Sequence, residues 1–116
     1  MDICFEGIGQ MAATFAAEDK LAPGMAVTLT ESGRVGLSGG DNSLCGVTVG
    51  AERGGAVAVQ IGGVVKVGYA DGETLSVGRQ ELACDGKGKV TADGGNGVSC
   101  LVLAVDTEEK TAVIRL

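Results

Sequence analysis

The chain has 116 residues, enough to build one core and too few for two. Its 21 glycines are well over twice the usual share of about 7%. They follow no three-residue period and accompany a single proline, Pro23, which excludes collagen, while 45% hydrophobic residues exclude a disordered chain. The net charge of −6, from 15 acidic and 9 scattered basic residues, speaks against nucleic acid and against an anionic membrane, since phosphate binding needs a dense Lys/Arg footprint.

Taken in chain order, the N-terminus opens on Met-Asp-Ile-Cys-Phe-Glu, with acid rather than base and no long apolar run. No secretory signal is legible there, and no stretch approaches the roughly 18 apolar residues of a membrane span. The expectation is an intracellular protein with four reduced thiols, Cys4, Cys45, Cys84 and Cys100. Residues 1–19 are expected to form an N-terminal arm or short element, ahead of a single β-barrel-like domain over 20–116. Over residues 8–20 the apolar residues recur at helical spacing, and an extended reading of Met11 to Phe15 stands beside the helical one.

From there on, glycines separate short β-branched runs, the pattern of tight turns in antiparallel sheets. Ala26–Thr30 and Arg34–Leu37 flank Glu31-Ser32-Gly33 as a hairpin, and Leu44–Val49 makes a further strand. Ala56–Ile61 and Val64–Val67 flank Gly62-Gly63, a sequence that predicts a hairpin with a positive-φ turn, with Val57, Val59 and Ile61 on one face. Glu81–Cys84 pairs with Lys89–Thr91, and Cys100–Val105 with Thr111–Leu116 across the charged turn Asp106–Lys110.

An internal duplication is spaced by 54–55 residues. Leu21-x-x-Gly24 answers Leu75-x-x-Gly78, Gly33-Arg34-Val35 answers Gly88-Lys89-Val90, and Asn42 answers Asn96. Val57-x-Val59-x-Ile61 answers Ala112-x-Ile114-x-Leu116. Each half reads as a hairpin, a glycine-rich loop and another hairpin. The fold class is therefore all-β: a small antiparallel barrel or sandwich, built of hairpins in two similar halves, with closure that disposes of exposed strand edges. Aromatics are limited to Phe5, Phe15 and Tyr69. The core must come from Val, Ile, Leu and Ala, and oligomerisation would be one way to bury more.

Motifs that suggest chemistry fail on mechanism. Gly36-Leu37-Ser38-Gly39-Gly40 matches a nucleophile elbow, but its serine needs a general base and the chain has no histidine. Gly7-Ile8-Gly9-Gln10-Met11-Ala12 matches a dinucleotide fingerprint without the strand before it or the parallel strand after it. In Asp93-Gly94-Gly95-Asn96-Gly97-Val98-Ser99, a serine stands where a calcium loop needs aspartate, and one loop cannot supply six to eight oxygens. The cysteines form no C-x₂₋₄-C knuckle. Cys45 and Cys100 fall at nearly matching places in the halves, so a bridge between them stays open beside the reduced reading. Lys66 lies between Val65 and Val67, not at a hairpin tip between methionines as in a swinging-arm carrier. No catalytic, cofactor or metal residue is assigned, and the chain is not expected to be an enzyme.

The whole pattern resembles the small β-rich head-decoration, or capsid-cement, proteins of tailed bacteriophages and prophages, especially of the Firmicutes type. The resemblance spans nearly the full length. It rests on Ile3-Cys4-Phe5, on Lys20 to Val27, on Leu44-Cys45-Gly46-Val47, on Gly54 to Gln60 with Gly62, and on Val102-x-Ala104-Val105-Asp106 through Ile114. It implies a homo-oligomer, often a trimer, on the outer capsid surface of the virion, clamping neighbouring major capsid subunits against internal DNA pressure. Ile3, Phe5, Met11 and Phe15 would then be the partner-contact residues of an N-terminal arm that adds a strand on binding. The alternative is a cytoplasmic β-barrel module that binds a small molecule or a protein.

Overall fold

A computed structural model describes residues 11–37, 43–92 and 97–116. The first five strands are β1 (Met11–Ala17), β2 (Ala26–Glu31), β3 (Arg34–Gly36), β4 (Gly46–Thr48) and β5 (Ala56–Gly62), and they form a closed barrel in the order β1-β3-β2-β4-β5. The next five are β6 (Val64–Gly68), β7 (Gly78–Cys84), β8 (Val90–Ala92), β9 (Val98–Asp106) and β10 (Thr111–Arg115), in the order β6-β10-β9-β7-β8. The all-β reading holds, and so do the hairpins β2–β3, β7–β8 and β9–β10.

The helical spacing over residues 8–20 gives way to the extended form. Ala13, Phe15 and Ala17 are half-buried while Ala12, Thr14 and Ala16 are exposed, a period of two. Residues 11–17 are also an integral barrel strand, paired antiparallel with β5 and parallel with β3. Of the expected arm, residues 1–10 lie outside the described residues.

One expected hairpin does not form. β5 and β6, on either side of Gly62-Gly63, belong to different sheets. β5 already has a neighbour on each edge, β1 and β4, so β6 has no edge to join and crosses to pair with β10. Gly63 does take positive φ, 86°, but it serves the crossover rather than a tight turn. The expected face of Val57, Val59 and Ile61 breaks at the same place. The β1–β5 register shifts between Met11 and Ala12, which leaves Ile61 as a bulge residue pointing to solvent.

The two halves repeat one topology. A shift of 55 residues carries the pairs Thr28↔Gly36 and Leu29↔Val35 onto Ala83↔Thr91 and Cys84↔Val90. Shifting β1 by 52 and β5 by 55 carries Phe15↔Val57 and Ala13↔Val59 onto Val67↔Ala112 and Val65↔Ile114. The parallel closure repeats as well: Ala17↔Val35 in the first half becomes the bridge Tyr69↔Val90 in the second. Glu18 N–H donates to Val35 O at 2.8 Å, and Ala70 N–H donates to Val90 O at 2.9 Å. Positive-φ positions recur with the same spacing, Gly33 with Gly88 and Gly55 with Lys110.

Length alone predicts a single core, and the interior instead divides into two clusters. The smaller comprises Leu21, Val27, Val35, Val57 and Val59, with Phe15 packed against it. The larger fills the second half around Leu82, Val90 and Ile114, and takes in Ala26, Leu44 and Val47 from the first half. Those three tie the halves together, because the second core is incomplete without them. Each fully buried Val or Leu contributes about 1.5–3 kcal/mol.

Candidate interaction surface

The chemistry-like motifs are structural where they are described. Gly36 ends β3 in a buried position, and Leu37 N–H donates to Asp19 Oδ2 at 3.0 Å. Ser38 and the following glycines lie outside the described residues. So do Gly7 to Gln10 of the nucleotide-like motif and residues 93–96 of the calcium-like loop. Among the described residues, no three His, Cys, Asp or Glu side chains converge to hold a metal, and no helix is long and apolar enough to cross a membrane. An open hollow of about 340 Å³ is lined by Ala70, Asp71, Asp85, Lys87 and Lys89. Its Asp85 is occupied by the turn, accepting the Lys87 and Lys89 N–H groups on Oδ1 at 2.7 and 3.1 Å.

The Cys45–Cys100 bridge is not made. Cys45, Cys84 and Cys100 are free thiols. Cys100 lies inside the larger cluster, whereas Cys45 packs against the smaller one, so the matching sequence places fall in separate cores. Burial pushes the Cys45 and Cys100 thiols above their ordinary range. Cys84 is pushed up to about 12, first by burial, then by the neighbouring Asp85 carboxylate and by Cys45.

The four expected partner-contact residues separate. Ile3 and Phe5 lie outside the described residues. Met11 opens β1 and is 60% exposed. Phe15 is half-buried against the first core, serving the barrel. Other exposed apolar side chains are Leu29 and Val49, on expected strands, Ile61, expected on a strand face with Val57 and Val59, Val77, and Val98, which the sequence places in the calcium-like loop.

Around the crossover, the halves meet through a defined junction. Ala26 N–H donates to Gly88 O at 2.8 Å, and Gly88 lies so close that a Cβ there would stand 3.1 Å from Met25 Cγ. Ser43 bridges antiparallel to Ala83. The buried Gln60 donates through Nε2 to Gly62 O at 2.9 Å and to Val64 O at 3.0 Å. Its amide thus satisfies carbonyls on both sides of Gly63 that would otherwise be left at the crossover.

No family model matches the chain, and neither does any curated protein. Among solved structures it is similar to a chain of "The capsid of Myoviridae Phage XM1", at a TM-score of 0.68 and 13% identity, over 96% of this chain and 85% of that one. At that identity the likeness is one of fold: this chain shares the fold of a chain from a phage capsid structure.

Proposed function

We propose that the protein is a non-enzymatic structural component of a phage or prophage particle, a decoration protein seated on the outer surface of the capsid. The observation that carries this reading is the fold shared with a phage-capsid chain, across 96% of this chain and 85% of that one. Two sequence features support it. The acidic balance keeps the protein soluble and away from packaged DNA, and the resemblance to capsid-cement proteins spans nearly the full length. The partner is the major capsid protein, and the decorating unit is a homo-oligomer, with a trimer the form the resemblance implies. Contact is made by residues ahead of β1, Ile3 and Phe5, together with the exposed Met11.

The test is cosedimentation of the purified protein with undecorated capsids, alongside mass spectrometry of particles induced from the source strain. Saturable binding, with near-capsid abundance in particles, is the expected result. Particles that form without the protein, and capsids that leave it in the supernatant, would overturn the reading in favour of a soluble binding module. A truncation to test the contact must stop at residue 10, since Met11–Ala17 is a barrel strand. Removing residues 1–10 should abolish cosedimentation and leave the β-sheet circular dichroism unchanged.

A further inference from the structure

The junction between the halves leaves one strand edge unpaired. In the first half Ala16 N–H donates to Gly33 O at 2.9 Å, which draws β1 against β3. The repeat, with its shifts of 52 and 55 residues, assigns the same bond to Gly68 N–H and Gly88 O. Gly88 O instead accepts Ala26 N–H at 2.8 Å. β6 therefore meets β8 only beyond its own end, at the bridge Tyr69↔Val90.

The opposite edge of β6 is held by β10, with Leu116 N–H donating to Gly63 O and Tyr69 N–H to Lys110 O. Antiparallel pairing alternates, so Val65 and Val67 also turn their N–H and C=O groups to β10. Lys66 and Gly68 turn theirs away. Among the described residues, no strand meets this outer edge from Val64 to Gly68.

Positive charge collects along the same edge. Lys66 is exposed and shares the outer face with Gly68, since Val67 between them is buried. Gly68 has no side chain, and Lys89 lies across it: a Cβ there would stand 3.6 and 3.9 Å from Lys89 Cγ and Cδ. Lys110 O stands 3.7 Å from the same point. Among the described residues, none of these three lysines makes an ion pair. Of the carboxylates nearby, Asp85 and Asp106 are bound to the backbone N–H groups of their own turns. Asp71, Glu108 and Glu109 are exposed in loops.

Lys110 also holds a strained position. Among the described residues it is the one non-glycine with positive φ, 56°, and its counterpart in the first half is Gly55. A side chain is kept there against the backbone's preference for glycine, the pattern of a residue held for a contact. The counterpart of Lys66 is the uncharged Thr14. The repeated fold thus requires neither lysine. One lysine on an edge wards off stray strands, whereas three without a counter-charge select an acidic one.

We propose that the outer edge of β6 receives an acidic extended segment of the capsid partner as an added strand. Its main chain pairs with Lys66 and Gly68, and its carboxylates meet Lys66, Lys89 and Lys110. The capsid as the source rests on the function proposed above; the acidic strand does not. Here the barrel receives a strand, at a site in the second half and apart from the residues ahead of β1.

NMR titration of the full chain with a blocked octapeptide of alternating Glu and Val tests the edge. The Lys66 and Gly68 amides should become protected from hydrogen exchange, and the matching Lys-Val peptide should leave them unprotected. Lys66→Glu should weaken the Glu-Val peptide about fivefold or more, as attractive cross-strand pairs turn repulsive. Lys110→Gly should weaken it too, although the fold gains stability, while Lys20→Glu in the first half should change nothing. Unprotected amides, or equal binding of both peptides, overturn the proposal. Displacement by a single-stranded oligodeoxynucleotide without amide protection would assign the lysines to a phosphate chain and overturn it as well. Lys66→Glu should also weaken cosedimentation with capsids. Cosedimentation unchanged by that variant overturns the capsid as the source. A parent chain that binds the peptide but no capsid removes the capsid reading and leaves the acidic strand standing.

Discussion

The two halves share strand order, turn conformations and the registers of all but one strand pair, since β2–β4 and β7–β9 differ by two residues, yet they are held differently. In the first, the seven-residue β1 runs along β5 and then turns parallel to β3, which closes the barrel. In the second, the corresponding closure shrinks to the bridge Tyr69↔Val90, while the larger core draws Ala26, Leu44 and Val47 from its neighbour. The first half is closed by its hydrogen bonds around a thin core. The second is filled by apolar mass that it borrows. A repeated backbone can therefore be stabilised by unlike means, and the means decides which substitutions each copy tolerates.

The sharpest break in the comparison is expected at Gly46. An added Cβ would run into the Gln60 carbonyl and stand 2.8 Å from Val59 Cγ1, so β4 must part from β5. Cys100, at the matching place when β4–β5 is laid on β9–β10, carries a side chain inside the larger cluster. Gly46→Ala should cost about 4 kcal/mol or more, in the range of exceptional single substitutions, read as a fall in the urea midpoint. Cys100→Ala should cost far less in the same measurement.

Gln60→Ala removes the clamp across the crossover. It leaves the Gly62 and Val64 carbonyls without their donor, a loss of about 1–3 kcal/mol. If the halves are coupled there, urea unfolding watched by hydrogen exchange should split, with the second half protected to higher urea than the first. A single unsplit transition would show that the shared core alone couples them.

Alkaline titration separates the halves by a thiol. Burial, then Asp85 and Cys45, push Cys84 up to about 12 from the ordinary 9.0. The fold therefore favours the protonated thiol. That contribution is complete below about pH 9 and is lost as pH rises from 9 towards 12. Cys84→Ala should flatten the loss of stability across that window, followed as melting temperature against pH. Leu29, at the same place in the first half, has no proton to lose.

The smallest effect belongs to the turn pair Gly55 and Lys110, with φ of 83° and 56°. An L-residue with a side chain pays about 1–2 kcal/mol in that region, partly offset by the greater freedom glycine has when unfolded. Lys110→Gly should raise stability by less than about 1 kcal/mol, and Gly55→Lys should lower it by a similar amount, both measured as shifts in urea midpoint.

Much of the architecture was legible in the residues. Glu31-Ser32-Gly33 and Asp85 to Gly88 announce their hairpins because turn chemistry is local. The paired spacings of Val57/Ala112 and Val59/Ile114 announce the repeat, since each member faces a core. What escaped is non-local. Nothing in Gly62-Gly63 says that β5 has both edges filled, and nothing in Met11–Ala17 distinguishes a barrel strand from a free arm until β5 and β3 are in place. The interaction surface was least legible. Leu29 reads as an ordinary strand residue and Val98 as part of a glycine-rich loop, and only the packed structure leaves both exposed.

The pairing of β1 with β5 has a mechanical consequence. A pull on the chain ahead of Met11, directed along the strand, loads the successive β1–β5 pairs from Met11↔Gly62 to Ala16↔Ala56 together in shear, instead of peeling them one at a time. Such a ladder fails at far higher force than a hairpin opened from its end. An attachment made through the N-terminal residues would thus hand its load to the strongest direction the first barrel has.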